Sequence, residues 1–485
     1  MIYLPERQKE DIGLRFILDQ CNMCTPYGTE LLYKLKPFMP ADKEKLMDEL
    51  DNIGRIKSSY NENHDAFTKI FHVLLQFKDI RPSIDKCSKD SDYVLNEVEL
   101  FEIKNYLLSL KELDEMFCRL QKVLHLTETL PQQMPQALAL LDPEGGELRT
   151  FYIMDSATPK LYALRVEKRR LEDAIKSTND DEQKQKLREE RLLVVCGEED
   201  EELLIRREMT EGLLGYTEDF FSNASAVGRL DLLLQKGKLA ADNKTTRPKI
   251  SESTVAFQGV YNPYIAYFLQ KHDKEFTPIS ITLHKGTAVL TGANMGGKSV
   301  ALKTLTLNIV LFQMGFYIFA ERAELPMFDS VHLISEDLQS IDKGLSTFAA
   351  EIVKLQQISN DLGRGLSFVA LDEFARGTNP SEGAGLVRAV ARYLNNKHAI
   401  SILTTHYDNI SSPEFRNYQV IGLKNIDMNL LRQKILLAGV KSFSLISEHM
   451  DYRLQESGDD SDPPKDALNI CRLLNLSDEI LHYYD

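Results

Sequence analysis

The sequence predicts two parts of different class: an all-α first half carrying a short helical arm, then an α/β domain built on a mostly parallel sheet. Two observations lead there. An apolar ladder at Leu100, Ile103, Leu107, Leu110, Leu113, Phe117, Leu120 and Leu124 steps by three or four, the stripe of a long packed helix. After about residue 245, short β-branched runs alternate with helical stretches, which implies parallel strands covered on both faces.

Taken in order, residues 1–130 read as a helical core or lever region. Pro131, Pro135, Pro143, Gly145 and Gly146 break the helical pattern, so a turn or irregular element sits there. Residues 131–215 read as a helical arm. Its stretch from Val166 to Leu193 mixes charges of both signs, as an exposed helical hairpin does, with a bend near Ser177–Asp181. The acidic run Glu198–Glu202 would repel a phosphate backbone. Residues 216–244 read as a helix returning to the second part, and 245–485 as the α/β domain with helices at its C-terminal end. There TAVLTG, SFVALDE and AISILTTH read as strands, with helices starting from Lys298 and Glu382.

Composition narrows the class. At about 150 residues per domain, 485 residues allow roughly two to four domains. Lys plus Arg number 58 against 73 Asp plus Glu, a net charge of −15. That disfavours a surface built mainly to grip nucleic acid, which normally shows a basic face. The longest apolar stretch, Leu307–Ala320, contains Asn308 and Gln313 and falls short of the roughly 18–20 residues a bilayer needs. The charged N-terminus does not resemble a signal peptide. Six cysteines are too few to staple a chain of this length, so reduced thiols in a cytoplasmic protein are expected. Cys21 and Cys24 form a lone CxxC with no second pair to complete a zinc site.

The chemistry concentrates in the second half. Gly292 to Ser299 spell G-x-x-x-x-G-K-S. The glycines let backbone N–H groups curl around phosphate oxygens, and the following helix presents its N-terminal donors. Lys298 would reach the β- and γ-phosphates and Ser299 would ligate Mg²⁺. Gly292, Asn294, Gly296, Gly297, Lys298, Ser299 and Val300 form the candidate nucleotide-contacting set. Phe368–Leu371 is a buried-strand pattern ending in Asp372-Glu373. At a strand tip beside a phosphate loop, Asp372 can hold the Mg²⁺ shell and Glu373 can deprotonate an attacking water. Another apolar strand ends in Thr405-His406, and His406 there could sense the γ-phosphate. Ahead of a helix from Ala349 lies Gly344-Leu345-Ser346-Thr347-Phe348, where Ser346 or Thr347 can cap the helix.

TGANMGGKS, GLSTF, LDEFARGTNPSEG and TTHY, in this order, resemble the ATPase domain of the MutS family, a branch of the P-loop ABC-type ATPases. CTPYGTELLYKL at 24–35 resembles the start of the MutS core, the ladder at 100–124 its lever, and residues 232–250 its return helix. The resemblance implies that Lys298 and Ser299 are the Walker A pair, Asp372 and Glu373 the Walker B pair, and His406 the switch histidine. It also implies that Ser346 approaches the γ-phosphate bound by the opposite subunit and that Phe276 stacks on the adenine. Two such domains sandwich two ATP molecules, so a homodimer with composite sites is expected. Ala293 replaces the family's usual proline. Met1 lies almost at the core domain, where a mismatch-repair MutS first carries a mismatch-reading domain and a connector. The one Phe-x-Glu, Phe319-Ala320-Glu321, is inside the ATPase. The stretch from AERAELPMFDSVH to GLSTF resembles the MutS-like group that bears an Smr nuclease domain, although the chain ends without one.

Three functions are weighed. The first is a DNA-binding MutS-type ATPase dimer without the usual mismatch reading. The second is an ATP-dependent protein-remodelling factor with a protein client or partner subunit, similar to the MutS-like reactivases of cobalamin-dependent aminomutases. The acidic arm and net charge favour it. A scaffold with a dead nucleotide site conflicts with the intact Lys298, Ser299, Asp372, Glu373 and His406.

Overall fold

The computed structural model describes residues 4–292, 297–335, 347–407, 410, 412–423 and 450–457. The chain divides into two compact units. One comprises Asn22–Lys34 and Ser59–Gln235, and the other Met1–Cys21, Leu35–Ser58 and Lys236–Asp485. The N-terminal 58 residues are thus shared between the units, and the division falls within the helices Lys43–Tyr60 and Thr217–Asp242.

In the unit containing Ser59–Gln235, every described element is helical. Its longest-ladder helix, Glu97–Leu124, starts from a reciprocal cap: Asn96 Oδ1 accepts the Glu99 N–H and Glu99 Oε2 accepts the Asn96 N–H. Such a box satisfies two orphan donors of the first turn. All eight ladder residues are buried. The arm is a hairpin of Pro159–Ser177 and Asp181–Leu214, capped by Thr158 and Asp180, so its bend lies where the charge pattern placed it. The acidic run is matched in part, while Glu199 and Asp200 are exposed. Glu198 pairs with Arg165 and Lys168, Glu201 with Lys160 and Thr158, and Glu202 with Arg165.

Among its described residues the other unit holds ten strands: β1 (Lys249–Ile250), β2 (Thr254–Val260), β3 (Ile279–His284), β4 (Gly286–Thr291), β5 (Arg322–Leu325), β6 (Ser330–Ile334), β7 (Ser367–Leu371), β8 (Ala399–Thr404), β9 (Arg416–Gly422) and β10 (Asp451–Glu456). Six form a sheet in the order β10-β9-β4-β8-β7-β6, parallel from β9 to β6, with β10 antiparallel at the edge. Strands β4, β8, β7 and β6 are buried over nearly every residue, as expected where helices cover both faces. Helices Thr347–Asp361 and Pro380–Asn395 join them in one apolar cluster that includes Val289, Val369, Leu371, Phe374 and Val387. The second helix begins at Pro380, two residues before the position read from sequence.

A second sheet, β1-β5-β2-β3, is mostly antiparallel and was not anticipated from the strand–helix alternation. Between the sheets' elements runs the helix Lys298–Gln313, buried almost all round. Its two buried amide side chains are structural. Gln313 bonds the Phe38 and Phe328 carbonyls and the Phe328 N–H, and Asn308 bonds the Tyr261 carbonyl and the Phe319 N–H. These pairings let an apolar helix carry buried amides without an unsatisfied donor.

Candidate active site

Three strands deliver the site. In the parallel register Leu290 faces Thr404 and Leu371 faces Leu403, so the residues after β4, β7 and β8 emerge on one carboxyl edge, where ligands bind in open parallel sheets. β4 leads to Gly292, β7 to Asp372-Glu373, and β8 to Thr405-His406. The acid pair does not directly adjoin the phosphate-loop strand, because β8 stands between them.

Gly292 (φ 146°) and Gly297 (φ 76°) adopt backbone conformations that side chains rarely tolerate. Gly297 is the left-handed N-cap of the helix that starts at Lys298. Lys298 turns back over the loop: its Nζ donates to the Gly292 carbonyl at 2.9 Å and lies 3.5 Å from Glu373 Oε1. The lysine is buried. Burial pushes its pKa below the usual lysine range, and the neighbouring Glu373 and Asp372 only partly offset this.

Thr404, at the end of β8, ties the carboxylates together. Its hydroxyl donates to Asp372 Oδ1 at 2.7 Å and accepts the Glu373 N–H at 2.9 Å. The Asp372 N–H donates to the Ile334 carbonyl at the end of β6, at 2.8 Å. Asp372 and Glu373 are both buried. Glu373 sits at φ 45° and Ala375 at φ 65°, left-handed conformations that non-glycine residues hold only where the surroundings enforce them. Arg376 Nη1 donates to Glu373 Oε2 at 3.1 Å. His406 is exposed, its ring centroid 4.4 Å from that of Tyr407.

Beside the loop opens a cavity of about 470 Å³. Phe276, Gly297 and Val300 line it together with Ile265, Met450 and Tyr452. Of the residues singled out in the sequence, the structure therefore joins Lys298, Asp372 and Glu373 in one constellation, and Phe276, Gly297 and Val300 in the adjoining cavity. Ser299 is the second residue of the helix. Asn294, Gly296 and Ser346 lie outside the described residues. Thr347 is the first residue of its helix rather than its cap.

Sequence reading missed Thr404 and Tyr452. A hint existed for the first, since a polar pair closes an otherwise apolar strand, but attention falls on the histidine two residues later. Nothing local marks Tyr452, which lies far along the chain on β10.

Residues 288–444 match the family described as MutS domain V. That segment is similar to a MutS domain V. Lys298, Ser299, Asp372, Glu373 and His406 all fall within it, and Phe276 precedes it. Domain V is the ATPase domain of the family. The curated relatives agree. The chain is 34% identical over 205 residues to a protein named Endonuclease MutS2 of Streptococcus pyogenes, covering 41% of this chain and 24% of that one. Endonuclease MutS2 of Finegoldia magna is 30% identical over 282 residues, 57% of this chain and 33% of the relative. A protein named DNA mismatch repair protein MutS, of Natronomonas pharaonis, is 31% identical over 229 residues, 46% and 26%. The similarity thus spans a quarter to a third of the length of these relatives. Among the described residues no helix is long and apolar enough to cross a membrane.

Proposed function

We propose that the protein binds and hydrolyses ATP at this edge and works as a homodimer whose helical arms are moved by nucleotide state, with DNA as the target. One observation carries the enzymatic part: a buried, charge-depressed Lys298 held against Glu373, whose backbone shares the Thr404 hydroxyl with Asp372. A lysine buried with too little compensating charge is stabilised by an anionic phosphate. Glu373 would take the proton of the attacking water, and Lys298 would hold the β- and γ-phosphates. Ser299 and Asp372 offer the oxygen donors Mg²⁺ prefers and would hold the ion, which would shield charge on the transferring phosphate. The apolar walls and Phe276 suit the adenine ring. Ser346 would complete the partner's site, and His406 would sense the γ-phosphate.

DNA as the target follows from the names of the relatives. A protein client is the second reading, and the arm favours it. Arg165, Lys168, Arg169 and Arg170 are each ion-paired to acids of the hairpin or to Asp155 just ahead of it, so this basic cluster is already matched within the arm instead of forming a phosphate-binding stripe.

The test is the ATPase rate with and without duplex, mismatched and branched DNA, alongside a salt-titrated binding assay. Stimulation, with affinity falling steeply as salt rises, supports the DNA reading. Intact basal hydrolysis with no binding at low salt moves the target to protein. No hydrolysis in the presence of Mg²⁺ overturns the enzymatic assignment.

A further inference from the structure

The three lysines that are buried outright among the described residues each face a carboxylate. Lys104 lies 3.0 Å from Asp142, Lys236 2.6 Å from Glu49, and Lys298 3.5 Å from Glu373. Lys354 departs from that pattern. The residue is half-buried, but its Nζ is closed off from solvent and makes no hydrogen bond among the described residues. A buried ammonium without a partner is costly, because it gives up its water and nothing replaces it. Burial alone lowers its pKa, to about 8, so most of it still carries its charge at pH 7.

The lysine stands on the helix Thr347–Asp361, which packs against the edge strand β6. Both elements wall a cavity of about 380 Å³: Lys354, Ile358 and Asp361 from the helix, His332 from β6, and Leu4 and Pro5 from the N-terminal segment. This cavity shares no lining residue with the one beside the phosphate loop. Its size suits a small molecule, and apolar walls with a few polar groups are the usual make-up of such pockets. The neighbouring groups do not neutralise the lysine. His332 is held uncharged, since burial pushes its pKa down to about 4 against the pull of Asp361. Asp361 stands about two helical turns from Lys354, on the order of 10 Å along the axis, and its Oδ1 lies 3.7 Å from Arg364 Nη1.

We propose that this cavity is a second ligand site, for a small organic anion whose carboxylate or phosphate oxygens take the Lys354 ammonium. The anion supplies the counter-charge that the fold withholds from this one lysine. Neutral His332 and the Gln357 amide, which also lines the cavity, can donate hydrogen bonds to the remaining oxygens. Leu4, Pro5 and Ile358 cover the organic body. Asp361 sets the polarity of the site: the end of the ligand that points away from Lys354 carries no second negative charge.

The experiment titrates butyrate, butyl phosphate, succinate and inorganic phosphate into the full chain by calorimetry at pH 7, for wild type, K354M and K298A, with thermal melts alongside. Butyrate or butyl phosphate should saturate a site in wild type and in K298A in the millimolar range or below, and the tighter of the two names the headgroup. K354M should weaken that binding more than about tenfold, the scale of a lost hydrogen bond to a charged group. Succinate should bind more weakly than butyrate, because its second carboxylate meets Asp361. Inorganic phosphate should bind more weakly than butyl phosphate, because it leaves the apolar wall uncovered. Without any ligand K354M should melt above wild type, since it removes an uncompensated buried charge. A measurement that needs no variant is acetylation by acetic anhydride, followed by peptide mass spectrometry: the tighter probe should protect Lys354 and leave the exposed Lys176 unchanged. No saturation by any probe, equal binding by K354M, binding lost in K298A instead, or no protection of Lys354 overturns the site. A ligand-free K354M that melts below wild type shows the ammonium already compensated and overturns it too. Inorganic phosphate as tight as butyl phosphate overturns the organic body, and succinate as tight as butyrate overturns the role of Asp361.

Discussion

Two buried cations, one in the arm and one at the sheet edge, meet carboxylates in opposite ways. Arg165 bonds Asp155, Glu198 and Glu202, the Tyr152 hydroxyl and the Ile153 carbonyl, and its guanidinium lies over the Tyr152 ring. Burial works against its charge, but Glu202, Asp155 and Glu198 outweigh it, and its pKa is raised. For Lys298 burial outweighs the attraction of Glu373 and Asp372, and the pKa is lowered. The first charge is matched by its own fold. The second is matched only in part by its own fold, and the proposed phosphate would complete it. Burial of a charge alone therefore does not mark a functional group; what sets Lys298 apart is its place at the carboxyl edge of the sheet against Glu373.

The comparison can be broken from either side. Glu373→Ala should lower the hydrolysis rate by about 10²–10⁴-fold while ATP binding persists, as loss of a general base does. Single-turnover assays on the pre-bound complex read this, and a wild-type rate would remove Glu373 from the role. Arg165→Met should strand the buried Glu198 and its half-buried neighbours Asp155 and Glu202 and cost the hairpin up to about 3–5 kcal/mol. Hydrogen exchange across residues 159–214 should accelerate, with basal ATPase unchanged. Lys298→Ala should weaken ATP binding by about 2–5 kcal/mol, the range for truncating one side of a buried charge pair, measured by calorimetry. Thr404→Val keeps the shape but leaves the Glu373 N–H and Asp372 without their shared hydroxyl, costing about 1–3 kcal/mol. Thr404→Ser should recover most of the lost kcat.

The smallest effect is in pH. Because the folded pKa of Lys298 lies below 10.5, the unfolded chain holds a proton in that window that the folded chain has released. Stability should therefore rise with pH from the depressed pKa up to the ordinary one. Nucleotide affinity should fall across the same window, since phosphate favours the charged amine. Lys298→Met should flatten that segment of a denaturation-versus-pH profile; an unchanged slope would contradict the shift.

Local chemistry carries its own signature, and that part of the molecule was legible before any coordinates. The helix start at Lys298, the acids after an apolar strand, the ladder of Glu97–Leu124 and the bend at Ser177–Asp181 each rest on neighbours within a few residues. Periodicity, turn chemistry and phosphate-loop spacing express short-range physics. What tertiary structure alone decided depends on residues far apart in the chain. Strand order placed β8 between the phosphate loop and the acid pair, which made Thr404 their link. A late strand brought Tyr452 against Gly297, and tertiary packing brought Glu351 and Tyr407 onto Ala375. The acids at 198–202, read as repulsive to phosphate, turned out to be largely matched across the hairpin. Sequence spacing cannot anticipate these pairings, because a parallel sheet aligns its carboxyl edge through crossovers whose lengths do not encode which strands become neighbours.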